Sequence, residues 1–322
     1  MLRPALCFVL AWCALSVASC AAQGSYPSKP VRFIVPFAPG GGTDIVARVV
    51  AQRLNQAWGR AIIVDNRPGA GSTLGTDIAA KAPADGYTML LSSISLAFNA
   101  SLYKSLPFDP TRDLAPVTLV AIQPNMLVTN PRLPAQSVKE LLALAKQKPG
   151  SIKFASGGNG SGPHLATELL KMSAGIELTH VPYKGTGPAL TDLLAGQVDM
   201  MIAVTASALP HVRAGKLRAL AVTGEARSAV APDIPTLAEG GVPGYEFKTW
   251  YGIQVPARTP SAMIDVLNQK VTEVLARSDV LEQLSAVGLD ARASSPRDFG
   301  VLIDSEIRKW AKVVKASGAK IE

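Results

Sequence analysis

The chain carries no cysteine after residue 20. Its three cysteines are Cys7, Cys13 and Cys20, so neither a disulfide framework nor a cysteine-based zinc site can form in the body of the protein. Histidine is as scarce. His164, His180 and His211 are the three present, and none stands at metal-ligand spacing from another. Aromatics amount to 6%, and the lysines and arginines are spread along the chain, so the net charge of +8 does not read as a nucleic-acid surface. Beyond the N-terminus no apolar run is long and uninterrupted enough to span a bilayer. What is present excludes disorder: 322 residues, 48% hydrophobic and 17% charged, can bury a large core in one to three domains. The 27 glycines and 24 prolines follow no period, which implies many turns between regular elements.

The cysteines lie in a segment with the anatomy of an export signal. Arg3 precedes a thirteen-residue apolar stretch (6–18), followed by small residues up to Ala22. Two processing routes compete. Cleavage after Ala22 leaves a cysteine-free periplasmic protein, with 1–22 as signal peptide and the net charge lowered from +8 to +7. Alternatively Val17, Ala18, Ser19 and Cys20 form a lipobox-like sequence, with 1–19 as lipoprotein signal and Cys20 as the lipidation site that anchors the chain.

Past this segment, short β-branched runs alternate with helical patterns. The runs at 31–36, 61–64, 87–93, 152–155, 198–203 and 217–222 read as buried strands, giving an α/β chain with mainly parallel sheets. A first helix is expected from Asp44 to Trp58, stopped by Gly59. Thr259-Pro260 and Ser295-Pro296 each place a hydroxyl before a proline suited to a first helical position. The last helix presents Phe299, Leu302, Ile303, Ile307, Trp310 and Val314 as an apolar stripe. The run 117–130 reads as a strand broken at Gln123, Pro124 and Asn125, where the chain crosses between lobes, and 240–252 reads as the return crossing. One lobe then comprises 26–123 plus 244–322, the other 124–243, with a hinged cleft between them suited to a small molecule.

Two glycine-rich strand-to-helix turns carry the chemistry. PFAPGGGTD (36–44) offers consecutive backbone N–H groups at a helix start, a cradle for a carboxylate or phosphate. It lacks the third glycine of a dinucleotide fingerprint and the GK[ST] of a P-loop. Asp44 reads equally well as a helix cap. SGGNGSGPHLA (156–166) offers a second cradle, with the hydroxyls of Ser156 and Ser161 and the amide of Asn159. GAGST (69–73) reads as a loop and helix entry. Ser161 and His164 do not form a nucleophile elbow, since Asn159 breaks the G-x-S-x-G pattern, and no carboxylate pair is placed for acid–base work. Binding is therefore expected rather than catalysis, with no cofactor and no metal.

The segments 26–48, 64–91, 156–170, 180–202, 217–227 and 250–260 together resemble the Bug family of solute-binding proteins, the extracytoplasmic receptors of tripartite tricarboxylate transporters. The resemblance covers nearly the whole chain after the signal. It implies a two-lobed periplasmic-binding-protein fold of type II-like topology, a monomer that closes on a small carboxylate and docks on transporter membrane subunits. The site it implies takes Phe37, Ala38, Gly41, Gly42 and Asp44 from lobe one and Ser156, Asn159, Ser161 and His164 from lobe two. Ser92, Ser93, Thr205 and Trp250 are further implied contacts, a core position being an equal reading for Trp250. The same fold also serves co-receptors of two-component sensors, which stand as the alternative function.

Overall fold

The computed structural model describes residues 26–317, so the signal-like segment and Cys20 lie outside it. Four elements build the start of the first sheet. β1 (Val31–Val35) leads into α1 (Gly42–Trp58), and β2 (Ile62–Asn66) into α2 (Thr73–Ala80). β3 (Thr88–Ser93) and α3 (Ser95–Leu102) follow, and then β4 (Leu114–Thr129), a strand of 16 residues. The second unit contains α4 (Val138–Gln147), β5 (Lys153–Ser156), α5 (Gly162–Ala174), β6 (Thr179–Pro182) and α6 (Thr186–Ala195). It continues through β7 (Met200–Val204), α7 (Thr205–Arg213) and β8 (Arg218–Val222). β9 (Lys248–Pro256) returns to the first sheet, and α8 (Ser261–Leu275), α9 (Ser278–Ser285), β10 (Asp290–Ala291) and α10 (Pro296–Ser317) complete the chain.

Both sheets use one pattern. In the first, β1 lies parallel between β2 and β3, and β9 runs antiparallel between β3 and β4. In the second, β5 lies parallel between β6 and β7, and β4 runs antiparallel between β7 and β8. The two halves therefore share the spatial order second, first, third, returning strand, fourth. The sheets are mixed rather than mainly parallel, because each accepts one strand that arrives from the other unit and runs against its neighbours.

β4 joins them, and it is not broken. Residues up to Pro124 pair with β9, and from Asn125 onward the same strand pairs with β7 and β8. Proline is tolerated at the point where the ladder changes partners. The Thr223 hydroxyl binds the Asn125 N–H at 2.7 Å and also donates to Phe247 O at 2.7 Å, tying the two crossing segments together. The 240–252 passage, read from sequence as a crossing alone, becomes strand from Lys248 onward.

Helix ends follow local chemistry. α1 starts at Gly42, two residues before Asp44, and Gly59 closes it in a left-handed conformation at φ 60°. Ser295 caps α10: its Oγ accepts the Asp298 N–H at 3.0 Å and donates to the Asp298 carboxylate at 2.7 Å. Thr259 does not cap α8. Its hydroxyl turns back to Pro256 O at 2.7 Å, and Pro260 takes the capping position. The α10 stripe packs as expected, with Phe299, Ile303, Trp310 and Val314 buried.

Candidate functional site

The cradles occupy equivalent places, each following the central strand of its half, β1 or β5, and each opening into the next helix. The symmetry of the two sheets turns them toward one another across the hinge. They meet on a small cavity of about 20 Å³ lined by Phe37, Thr43, Ser93, Ile94, Ser95, Ser161, Gly162, Pro163, Thr186, Val204, Thr249 and Tyr251. No lining residue is ionisable at neutral pH. Instead the lining includes first-turn residues of four helices, Thr43 of α1, Ser95 of α3, Gly162 and Pro163 of α5 and Thr186 of α6, together with Val204, the N-cap of α7. Helix N-termini present unpaired N–H groups and a positive dipole end, so this wall favours an anion without offering a countercharge.

Two hydroxyls sharpen that preference. Ser161, the N-cap of α5, is 1% exposed, and its Oγ has no hydrogen-bond partner among the described residues. An unpaired buried hydroxyl costs about 1–3 kcal/mol, a cost that a bound acceptor would remove. Tyr251 accepts a hydrogen bond from Gln123 Nε2 at 3.0 Å, which leaves its own O–H proton to donate. Burial raises the Tyr251 pKa, keeping the phenol protonated.

Around the cavity the halves meet almost backbone to backbone. Ala38 donates its N–H to Lys184 O at 3.4 Å. A Cβ on Gly41 would stand 3.2 Å from Thr186 Cβ, and one on Gly42 2.5 Å from the Tyr251 hydroxyl and 2.6 Å from a Val204 methyl. Gly71, at φ +61°, abuts the carbonyl of Asn159, and Gly187 that of Pro39. Ala70 and Ser72 also hold positive φ, 46° and 92°. The 69–73 turn is thus one side of the interlobe seam as well as a helix entry. Outside the seam lies an open groove of about 670 Å³ bearing Tyr103, Asn159, Tyr183 and Lys184.

Of the residues expected from sequence, Phe37, Ser93 and Ser161 line the cavity, and Ala38, Gly41 and Gly42 form its seam. The side chains of the others point elsewhere. Asp44 accepts from Gly40 N at 3.0 Å, Arg48 Nε at 2.9 Å and Asn66 Nδ2 at 3.0 Å. Burial pushes its carboxyl up, but these partners outweigh that and hold its pKa below the ordinary value. It braces the first cradle and has no free oxygen for a ligand. Ser92 donates to Gly252 O at 3.0 Å. Thr205 donates to Pro124 O at 2.7 Å. Ser156 and His164 lie beneath the second cradle, the one bonded to His180 and the other to Gly160 N. Asn159 lies in the outer groove. Trp250 faces away on β9: its ring meets Phe299 edge-on at 5.6 Å and lines a separate cavity of about 200 Å³ with Glu246, Lys248, Glu306 and Lys309.

Thr43, Ser95, Thr186, Thr249 and Tyr251 were not anticipated. Thr186 sits in KGTGPAL (184–190), a glycine-flanked hydroxyl at a helix start, and that signal was available.

The comparisons with known proteins agree with this architecture. The model of the tripartite tricarboxylate transporter family receptor matches residues 46–319. The chain belongs to this receptor family. Protein BugT of Bordetella pertussis is 42% identical to the receptor over 308 residues, 95% of this chain and 94% of that protein. The solved periplasmic binding protein BugD is 34% identical, with a TM-score of 0.89 over 92% of the receptor and 100% of the BugD chain. Rpa4515 of R. palustris, solved with adipate, is 37% identical with a TM-score of 0.89, over 91% of the receptor and 98% of its own chain. The α/β, two-lobed periplasmic-binding-protein fold expected from sequence is therefore the fold of this receptor. Among the described residues no helix is long and apolar enough to cross a membrane, and no group of histidine, cysteine and carboxylate residues is placed to hold a metal ion.

Proposed function

We propose that this receptor captures a small carboxylate between lobes formed by 26–123 plus 244–322 and by 124–243, and presents it in the periplasm to the membrane subunits of a tripartite transporter. One observation carries the reading: a small cavity with no side chain charged at neutral pH, ringed by helix N-termini, in which the Ser161 hydroxyl has no partner among the described residues. Such a wall suits a carboxylate head group, bound through N–H and O–H donors and bridging water. The adipate on Rpa4515 supports the same ligand class. At about 20 Å³ the cavity holds roughly one water, so the lobes part to admit even a carboxylate head, while the outer groove accommodates the tail. Lys184, which lines the groove, supplies a cation that suits a second carboxylate.

Thermal-shift screening against adipate, malate, citrate, amino acids, aromatic acids and neutral sugars tests this. A ligand at about 100 times its Kd adds about 2.7 kcal/mol of stability. The expected result is that one or more carboxylates raise the Tm while sugars do not. A response to sugars alone overturns the reading.

A further inference from the structure

Each cradle is braced by the third residue of the helix it opens into, and the braces differ in chemistry. In α1 that residue is Asp44, whose carboxylate accepts the Gly40 N–H at 3.0 Å and is held by Arg48. In α5 it is His164, whose Nδ1 accepts the Gly160 N–H at 3.2 Å. Both bonds run from the residue just before the N-cap, Gly40 or Gly160, to the third helical position. Sequence gives no hint of this, since aspartate and histidine have nothing in common but an acceptor at the same helical offset.

The histidine brace has a second member. The His180 ring, from β6, stacks on His164 with centroids 4.2 Å apart and planes 10° apart, and Phe154 stacks on His180 at 4.7 Å. His180 Nε2 lies 2.6 Å from Ser156 Oγ, which accepts the Gly158 N–H at 3.1 Å. Gly158 and Gly160 thus hang from the two imidazoles, one directly and one through a serine. Between them Asn159 presents the carbonyl that meets Gly71 of lobe one, and Ser161 follows with its unpaired hydroxyl in the cavity.

We propose that the stacked His164–His180 pair is the positioning element of the lobe-two cradle, setting the 157–161 turn in the geometry that closes the seam and aims Ser161 at the ligand. Neither ring touches the cavity, so both act through the turn. The pair works only while uncharged: a proton on His164 Nδ1 would turn two donors against each other at Gly160, and two stacked cations would repel. Burial first, then the neighbouring charges, depress both groups, His164 to about 3 and His180 to about 4. Lys171 acts on both rings. It is paired with Glu168 at 3.0 Å and lies 3.9 Å from Glu177.

The inference rests on the carboxylate reading for its ligand-binding consequence, and its test has one arm independent of any ligand. His164→Phe keeps the stack and removes the acceptor, whereas His164→Gln keeps an acceptor and cannot be protonated. Amide hydrogen exchange by NMR at pH 7 is expected to rise about tenfold at Gly160 in His164→Phe and to stay near wild type in His164→Gln. Adipate affinity, measured by calorimetry at pH 7 with circular dichroism confirming the fold, is expected to weaken about tenfold in His164→Phe and to stay near wild type in His164→Gln. Unchanged Gly160 exchange in folded His164→Phe overturns the proposal, as does a loss of adipate affinity in His164→Gln as large as that in His164→Phe. Wild type that binds no carboxylate refutes the ligand reading instead, and the exchange arm still decides the positioning role. If His164→Phe fails to fold, His180→Phe takes its place, with exchange at Gly158 as the deciding signal.

Discussion

Gln123 donates from Nε2 to the Tyr251 hydroxyl at 3.0 Å, and its Oε1 accepts the Ala206 N–H at 3.3 Å. One buried amide on the hinge strand thus links the cavity wall to the first turn of α7 in the opposite lobe. Tyr251 Oη is then oriented as an acceptor toward Gln123 and a donor toward a ligand. Tyr251→Phe removes that donor without changing the ring's packing in the lobe-one core. A hydrogen bond to a charged acceptor is worth about 1.5–3 kcal/mol, so the variant is expected to bind carboxylate roughly 10- to 150-fold more weakly. Calorimetry reads the affinity. An unchanged Kd would remove Tyr251 from the site.

Gly42 packs against Val204 of the opposite lobe and beside Tyr251 of its own. A single methyl there meets the Tyr251 hydroxyl at 2.5 Å and a Val204 methyl at 2.6 Å, closer than real Cβ contacts allow. The backbone is helical at Gly42, so alanine is locally acceptable; the Tyr251 conflict lies within lobe one and the Val204 conflict across the seam. Gly42→Ala is therefore expected to fold and to prop the lobes apart. Overpacking of this kind costs about 1–3 kcal/mol, or roughly 5- to 150-fold in affinity. Small-angle scattering should show no ligand-induced compaction in this variant, and compaction equal to wild type would refute the seam argument.

His164 and His180 also govern stability. In the unfolded chain both titrate near 6.5, whereas the folded values lie near 3 and 4. Between those limits the unfolded chain binds more protons, so stability is fully present above about pH 6.5 and falls as the pH drops. The slope for a fully buried group is about 1.4 kcal/mol per pH unit. His164 approaches this, and the half-buried His180 contributes less. Urea midpoints at pH 7 and pH 5 should differ accordingly, and the difference should shrink in His164→Gln. Equal midpoints at the two pH values would contradict the buried neutral state of the pair.

The sequence made most of the strands, the two cradles and the fold legible, because buried β-branched runs and glycine-rich helix entries are local signals; β6 and β9 were not marked as strands. It failed on face. Ser93 lines the cavity and Ser92 does not; Tyr251 and Thr249 line it and Trp250 does not. In an amphipathic strand the period of two would have settled each case. β3 is buried throughout and β9 is buried after its first residue, so both faces are apolar and the alternation is erased. Asp44 and His164 were placed in the right loops, but their bonds to backbone N–H groups four residues earlier are conformational and leave no compositional trace. The partner change at Pro124 was visible as a proline inside a strand pattern, yet it reads as a break until β7, β8 and β9 are known to share β4. Thr186 and the 69–73 turn escaped for another reason: they join the site only when the lobes close, through contacts between residues far apart in sequence, Gly41 with Thr186 and Gly71 with Asn159.

That closing contact yields the last expectation. Gly71 abuts the Asn159 carbonyl at φ +61°, and its neighbours Ala70 and Ser72 also hold left-handed backbone, at 46° and 92°. Non-glycine residues resist this region, so the turn must be held from outside. Asn99 Nδ2 donates to Gly71 O at 2.8 Å and lies 3.3 Å from Ser72 Oγ, and the Tyr103 hydroxyl donates to Ala70 O at 2.7 Å. Asn99 is 1% exposed and sits on α3, whose first turn lines the cavity. Asn99→Leu removes the strap while roughly preserving volume and leaves the Gly71 carbonyl unsatisfied, a cost of about 1–3 kcal/mol. Relaxation of the turn withdraws Gly71 from Asn159, so the cost falls on the closed form as well as on the folded state. The variant should melt lower and bind carboxylate more weakly, with the faster ligand dissociation expected of a looser latch. Stopped-flow fluorescence of the tryptophans measures that rate, and a lowered Tm with unchanged dissociation would confine Asn99 to the stability of lobe one.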